Sequence, residues 1–203
     1  MKNTAKTPIQ RVQDGGNSAL SPRHPEPVSG SISIDIIAKS KKWNTHRNVQ
    51  QFIERTCLKI IPLTDLKKLL RKNFTLEIAI SLVSSRQIKT INAEFRGKNK
   101  PTNVLSFPNL DENLIREVGI KKAVGSASFL PLGDIVIAYE MVEKESLAQK
   151  KKFHDHLTHL ILHSILHLIG YDHEEEGMAK IMEDLEIKIL QKLKIKNPYQ
   201  LNC

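Results

Sequence analysis

Ile32, Ile34 and Ile36 alternate with Ser33 and Asp35. A period of two places alternate side chains on opposite faces, so this stretch predicts a half-buried strand. Residues 75–83, TLEIAISLV, alternate in the same way. Val104 to Phe107 and Asp134 to Ala138 are shorter apolar runs that also predict strands. Between them the period changes. Val49, Phe52, Ile53 and Cys57 recur at helical spacing within a helix expected over Asn44 to Leu58. A short helix is expected from Thr64 to Lys72, and Ser85 starts another with Ile88 and Ile91 on one face. The rest of the pattern is helical, over about Glu140 to Lys150, His154 to Ile169 and Glu175 to Leu193. Residues 109–132 carry no clear period and read as an irregular loop.

Strands first and helices last imply an α+β domain, a single small mixed sheet covered by helices. Residues 1–30, rich in turn formers and with Pro22, Pro25 and Pro27, read as a disordered extension. The folded domain is expected over 31–196, with 197–203 as a C-terminal tail. With 203 residues and a hydrophobic share of 40%, one domain can bury a core. Aromatics make up only 5%, so that core should rest on Leu, Ile and Val.

Net charge is +9, which attracts polyanions such as nucleic acid or an anionic membrane, although a solvated lysine-rich surface gives the same number. Lys150, Lys151 and Lys152, and Lys188, Lys192, Lys194 and Lys196 near the C-terminus, form two basic groups. Cys57 and Cys203 make neither a disulfide framework nor a CxxC zinc knuckle, which points to a reducing compartment. No apolar run is long enough to cross a membrane and no apolar signal core opens the chain, so the cytoplasm is expected.

Histidine placement carries the chemistry. Six of the eight histidines lie between positions 154 and 173. His163 and His167 are four apart on an expected helix, so their rings share a face and can converge on one tetrahedral metal. Gly170 can end that helix through positive φ and turn the chain so that His173 returns as a third ligand. The resulting H-x-x-x-H-x-x-G-x-x-H has the ligand spacing of metzincin zinc proteases. Those proteases carry a glutamate after the first histidine as general base, whereas this chain has Ser164. Three ligands with no recruited fourth leave an open position for water. A structural zinc would need a fourth ligand from Cys57, Cys203 or Asp172. His156 and His159 are either supporting groups or polar positions at the rim. Asp172 either orients an imidazole or only closes its turn.

These residues carry a family resemblance. His163-Ser164-Ile165-Leu166-His167-Leu168-Ile169-Gly170-Tyr171-Asp172-His173 resembles the H-G-x-L-H-L-x-G-Y-D-H signature of the YbeY family. Residues 95–108, FRGKNKPTNVLSFP, resemble that family's R-G-K-D-x-P-T-D/N-V-L-S-F-P block, and Leu132 to Ile137 resemble its L-G-D-I-x-I strand. The likeness spans roughly residues 31–195. Ser164 replaces the usual glycine, Asn99 stands where aspartate is common, and residues 1–30 have no counterpart.

The resemblance implies a zinc-dependent, single-strand-specific endoribonuclease of 16S rRNA 3′-end maturation and ribosome quality control. Its implied partners are rRNA and the ribosomal small subunit or its proteins. It implies one zinc ion on His163, His167 and His173 with a catalytic water, and Arg96 near the metal as a phosphate clamp. Lys98 and Lys100 would extend the basic track or simply solvate their loop. The general base is left open between metal-activated water and the RNA 2′-hydroxyl. Two alternatives stand beside this reading: a metalloprotease-like hydrolase, and a non-catalytic assembly factor stapled by zinc.

Overall fold

The computed structural model describes residues 30–70, 74–111, 115, 119–123, 129–173 and 176–200. The N-terminal extension up to residue 29, the last three residues with Cys203, and Lys72 and Glu175 at two expected helix ends lie outside the described residues.

Four strands form one mixed sheet in the order β1-β2-β4-β3. They are β1 (Ser31–Ala38), β2 (Thr75–Val83), β3 (Val104–Pro108) and β4 (Phe129–Ala138). β2 pairs in parallel with both β1 and β4, while β3 runs antiparallel along the outer side of β4. Among the described residues, five longer helices cover it: α1 (Val49–Ile60), α2 (Ser85–Arg96), α3 (Tyr139–Ala148), α4 (Phe153–Leu168) and α5 (Glu176–Lys192). This is the α+β arrangement that the pattern predicts.

The alternation of β4 shows how the sheet is covered. Ile135 and Ile137 enter the main core with Leu76, Ile78, Ile80 and Leu82 of β2, against α1 and α4. Val136 and Ala138 face the other way and join Val83, Leu105 and the α2 residues Ile88 and Ile91. β4 therefore feeds two apolar layers from successive residues, whereas β1 gives only Ile32, Ile34 and Ile36 to the main core. Trp43 anchors one corner, fully buried, with its indole N–H donating to the Val83 carbonyl at 3.1 Å. A capping box starts α2: the Ser84 hydroxyl accepts from the Gln87 N–H, and the Gln87 side chain accepts from the Ser84 N–H at 2.8 Å.

Three element boundaries differ from the sequence reading. The first expected helix is split into a 3₁₀ turn, Lys41–Thr45, and α1, because Trp43 is drawn into the core and Asn48 takes left-handed backbone (φ 60). Of the stretch from Thr64, only Lys67–Leu70 is helical among the described residues. The expected loop 109–132 contains a helical turn at Ile120–Ala123 and the first residues of β4. Pro131 and Gly133 hide that strand from a periodicity argument. Glu77 pairs with Pro131 and Ile78 with Gly133, so Leu132 is the extra residue of a bulge that breaks the alternation.

Gly133 sets how closely α4 approaches this edge. Its φ is +142, and an added Cβ would lie 2.2 Å from the Phe107 carbonyl oxygen and 3.0 Å from Leu168 of α4. Gly133→Ala is expected to destabilise the fold by about 3 kcal/mol or more, through backbone strain and a clash that neither strand can relieve. Urea denaturation would measure it; a midpoint like that of the wild type would show that the β3–β4 edge is not held this tightly.

Candidate metal centre

Most of the circumference of α4 is apolar and buried: Leu157, Leu160, Ile161, Leu162, Ile165, Leu166 and Leu168 all sit in the core. A helix buried on this scale is normally hydrophobic all round. Here His156, His159, His163 and His167 interrupt it at spacings of three, four and four, forming a single row. Gly170 follows with φ +88, and the Tyr171 N–H reaches back to the Leu166 carbonyl at 3.1 Å. That left-handed turn ends the helix as expected and returns the chain toward its own last turn. His173 thereby meets the two helical histidines, with ring centroids 5.4 Å from His163 and 5.0 Å from His167.

The ligand nitrogens of His163, His167 and His173 lie within 4.8 Å of one another. The Nε2 atoms of His163 and His167 are 3.2 Å apart. Two nitrogens on one tetrahedral zinc, each about 2.0–2.1 Å from the ion, would be about 3.3 Å apart, so this pair is already at ligand spacing. Burial, with His163 and His173 alongside, lowers the His167 imidazole to about 4. It is therefore neutral near pH 7, as a metal ligand must be. The three residues fit a metal ion by both spacing and donor chemistry.

Glu186 of α5 supports the cluster. It is fully buried and accepts from His163 Nδ1 at 2.9 Å and from His159 Nε2 at 3.2 Å. The Tyr199 hydroxyl donates to the same carboxylate. Bonding at Nδ1 fixes the His163 tautomer that leaves Nε2 free for a metal. Burial alone would raise the Glu186 carboxyl, but bonds and charges from His159 and His163 bring it down to about 2. Glu186 is only faintly marked in the sequence. Its signal was a carboxylate inside the apolar stripe Met182, Ile189 and Leu190, at spacings of four, three and four. Tyr199, in the expected C-terminal tail, carried no such signal.

His156 pairs with Glu145 at 2.9 Å, and Glu145 also accepts from Asn103 at 2.9 Å. His159 thus shares a carboxylate with a candidate ligand, whereas His156 bonds a different carboxylate that does not touch the three histidines. Asp172 accepts from the His173 N–H at 2.7 Å, which closes the turn that presents the third histidine. Ser164 is fully buried, and its hydroxyl offers no carboxylate to act as a general base. Cys57 lies in the α1 core, where burial pushes its thiol up to about 12, and it is not part of the cluster.

The histidines line one wall of a cleft of about 520 Å³, and Arg96 lines it too, with Asn103, Ser106 and Phe107. Arg96 is the last residue of α2. The turn after it is pinned by Asn92, whose carbonyl accepts from the Gly97 and Lys98 N–H groups and whose side chain donates to the Lys100 carbonyl at 2.8 Å. Lys98 and Lys100 are exposed on that turn and do not line the cleft. Phe95 and Phe107, with centroids 5.4 Å apart at 69°, add an aromatic pair to its rim, although the sequence shows no row of aromatics.

An α+β domain with three convergent histidines beside an arginine-lined cleft defines a protein that could hold a metal ion next to an anionic ligand. A family model described as Endoribonuclease YbeY matches residues 36–194. The Endoribonuclease YbeY of Bartonella henselae is 44% identical over 168 residues, covering 83% of this chain and 97% of that protein. Its counterpart from Bartonella quintana is 42% identical with the same coverage. A solution structure from Thermotoga maritima superposes with TM-score 0.47 at 24% identity, over 82% of this chain and 99% of that one. This chain belongs to the YbeY endoribonuclease family. No helix among the described residues is long and apolar enough to cross a membrane.

Proposed function

We propose that this chain is a zinc-dependent endoribonuclease, specific for single strands, that acts in the cytoplasm on the 3′ end of 16S rRNA and in ribosome quality control. The small subunit or one of its proteins presents the substrate. The observation that carries this reading is the shared cleft: three histidines at ligand spacing and Arg96 line the same hollow. The names of the relatives supply the substrate class.

His163, His167 and His173 would hold the ion, and zinc bound there supplies Lewis acidity toward a phosphoryl oxygen and an acidified water. Arg96 provides a planar fork for the scissile phosphate and for the charge that grows on it in the transition state. Glu186 keeps the His163 ring oriented and stays ionised. Phe95 and Phe107 offer faces and edges against which an unpaired base can stack, which favours a strand whose bases are splayed over a duplex.

The test is cleavage of single-stranded RNA, duplex RNA and casein by the purified chain, before and after chelation. The reading expects single-stranded RNA alone to be cut, activity to vanish with chelator, and zinc to restore it. Casein hydrolysis would instead favour a metalloprotease. An RNA-binding protein that is inert with zinc bound would favour an assembly factor. A 2′,3′-cyclic phosphate product would identify the RNA 2′-hydroxyl as nucleophile.

A further inference from the structure

A second concave site lies at the other end of the histidine row. It encloses about 400 Å³ and shares no lining residue with the metal cleft. Its walls carry Lys150, Lys151, Lys152, Lys194 and Lys196 against a single carboxylate, Asp155. Ammonium groups repel one another, and low-dielectric walls concentrate their field inside a hollow.

Helix dipoles account for only part of this. Lys150 follows the end of α3, and Lys194 and Lys196 follow the end of α5, where cations are favoured. Lys151 and Lys152 are placed the other way. Lys152 is the N-cap of α4 and makes no capping bond with its side chain, and Lys151 precedes it. Both add positive charge to the positive end of a sixteen-residue helix. Lys150 (φ 52) and Lys194 (φ 61) also occupy left-handed backbone, where glycine or asparagine sits more easily, so neither turn itself requires a lysine.

Lys151 ties the chain at Pro198 to the wall of the hollow, its ammonium donating to the Pro198 carbonyl at 2.7 Å and to the Gln149 side chain at 2.6 Å. His156 is 4% exposed and lines the site, and its Nδ1 has no hydrogen-bond partner among the described residues. From His156 to His163 is seven residues, about 10 Å along the helix axis.

We propose that this lysine-walled hollow is a phosphate-binding site, separate from the metal cleft, that takes either a backbone phosphate of a bound strand or free phosphate. The strand case rests on the ribonuclease reading, so binding is measured on the zinc-loaded chain with a strand that lacks 2′-hydroxyls, and RNA cleavage is assayed separately.

The experiment follows anisotropy of a labelled single-stranded deoxyoligonucleotide on the full chain, with inorganic phosphate as competitor. The site variant is Lys152→Gln with Lys196→Gln, both exposed and, among the described residues, free of side-chain bonds that hold the fold. The control is Lys188→Gln with Lys192→Gln, which removes the same charge from α5 outside the hollow. The site variant should weaken strand binding at least tenfold, and the control less than threefold. Its log–log salt slope should become shallower by about 1.4, at about 0.7 per lost contact. Phosphate competition that disappears in the site variant identifies free phosphate as a ligand. An effect on the strand alone identifies its backbone. Equal weakening by the two variants, or no binding of either probe, overturns the proposal. Should the pair misfold by circular dichroism, Lys196→Gln alone carries the comparison with Lys192→Gln.

Discussion

Arg96→Ala should lower the rate of RNA cleavage by about 10²–10³-fold while the metal stays bound and the fold intact. The magnitude is that of removing one preorganised donor from a transition state that gathers charge. Arg96 makes no contact that the core depends on: it is exposed, at the last position of α2, and the turn behind it is held by Asn92. Its loss should therefore appear in the chemistry and not in the thermal midpoint. Arg96→Lys keeps the charge but loses the planar fork, so its rate should fall between wild type and alanine. Single-turnover cleavage with measured zinc content checks this. An Arg96→Ala enzyme within a few-fold of wild type would remove the arginine from the mechanism.

The second large effect is expected at Glu186. Glu186→Gln keeps the volume but removes the charge that faces His159 and His163. Its carboxyl is fully buried and lies at about 2, against an ordinary 4.5. A depressed carboxyl contributes stability that is present above pH 4.5 and lost as pH falls toward 2. A difference of that size corresponds to an order of 3 kcal/mol at neutral pH. Wild type should exceed the variant by about that much at pH 7, and the gap should narrow as pH falls from 4.5 toward 2. Metal affinity should drop by about 10–100-fold, since His163 loses the partner that fixes its tautomer. Equal stability of the two proteins at pH 7 would mean the carboxylate contributes nothing there.

Much of the site was legible because it is local. His163, His167, Gly170 and His173 lie within eleven residues, and helix geometry alone brings two of the rings together. Arg96 was reached through the family resemblance, since no periodicity links residue 96 to residue 163. Glu186 and Tyr199 were missed for a related reason: they arrive from α5 and from beyond it, and contacts of that range depend on how α5 packs on α4. The strand at Phe129 was hidden by a bulge at Leu132, which local pattern rules read as loop. The basic residues separate in a similar way. As sequence, all seven lysines of the two groups looked alike; folding gathers Lys150–Lys152 with Lys194 and Lys196 around one hollow and leaves Lys188 and Lys192 outside it.

X-ray absorption at the zinc edge of the loaded protein tests the central claim most directly. Three imidazole nitrogens and one light oxygen at about 2.0–2.1 Å are expected, with one nitrogen lost in His173→Ala. A sulfur shell near about 2.3 Å, or a spectrum unchanged by that substitution, would contradict it.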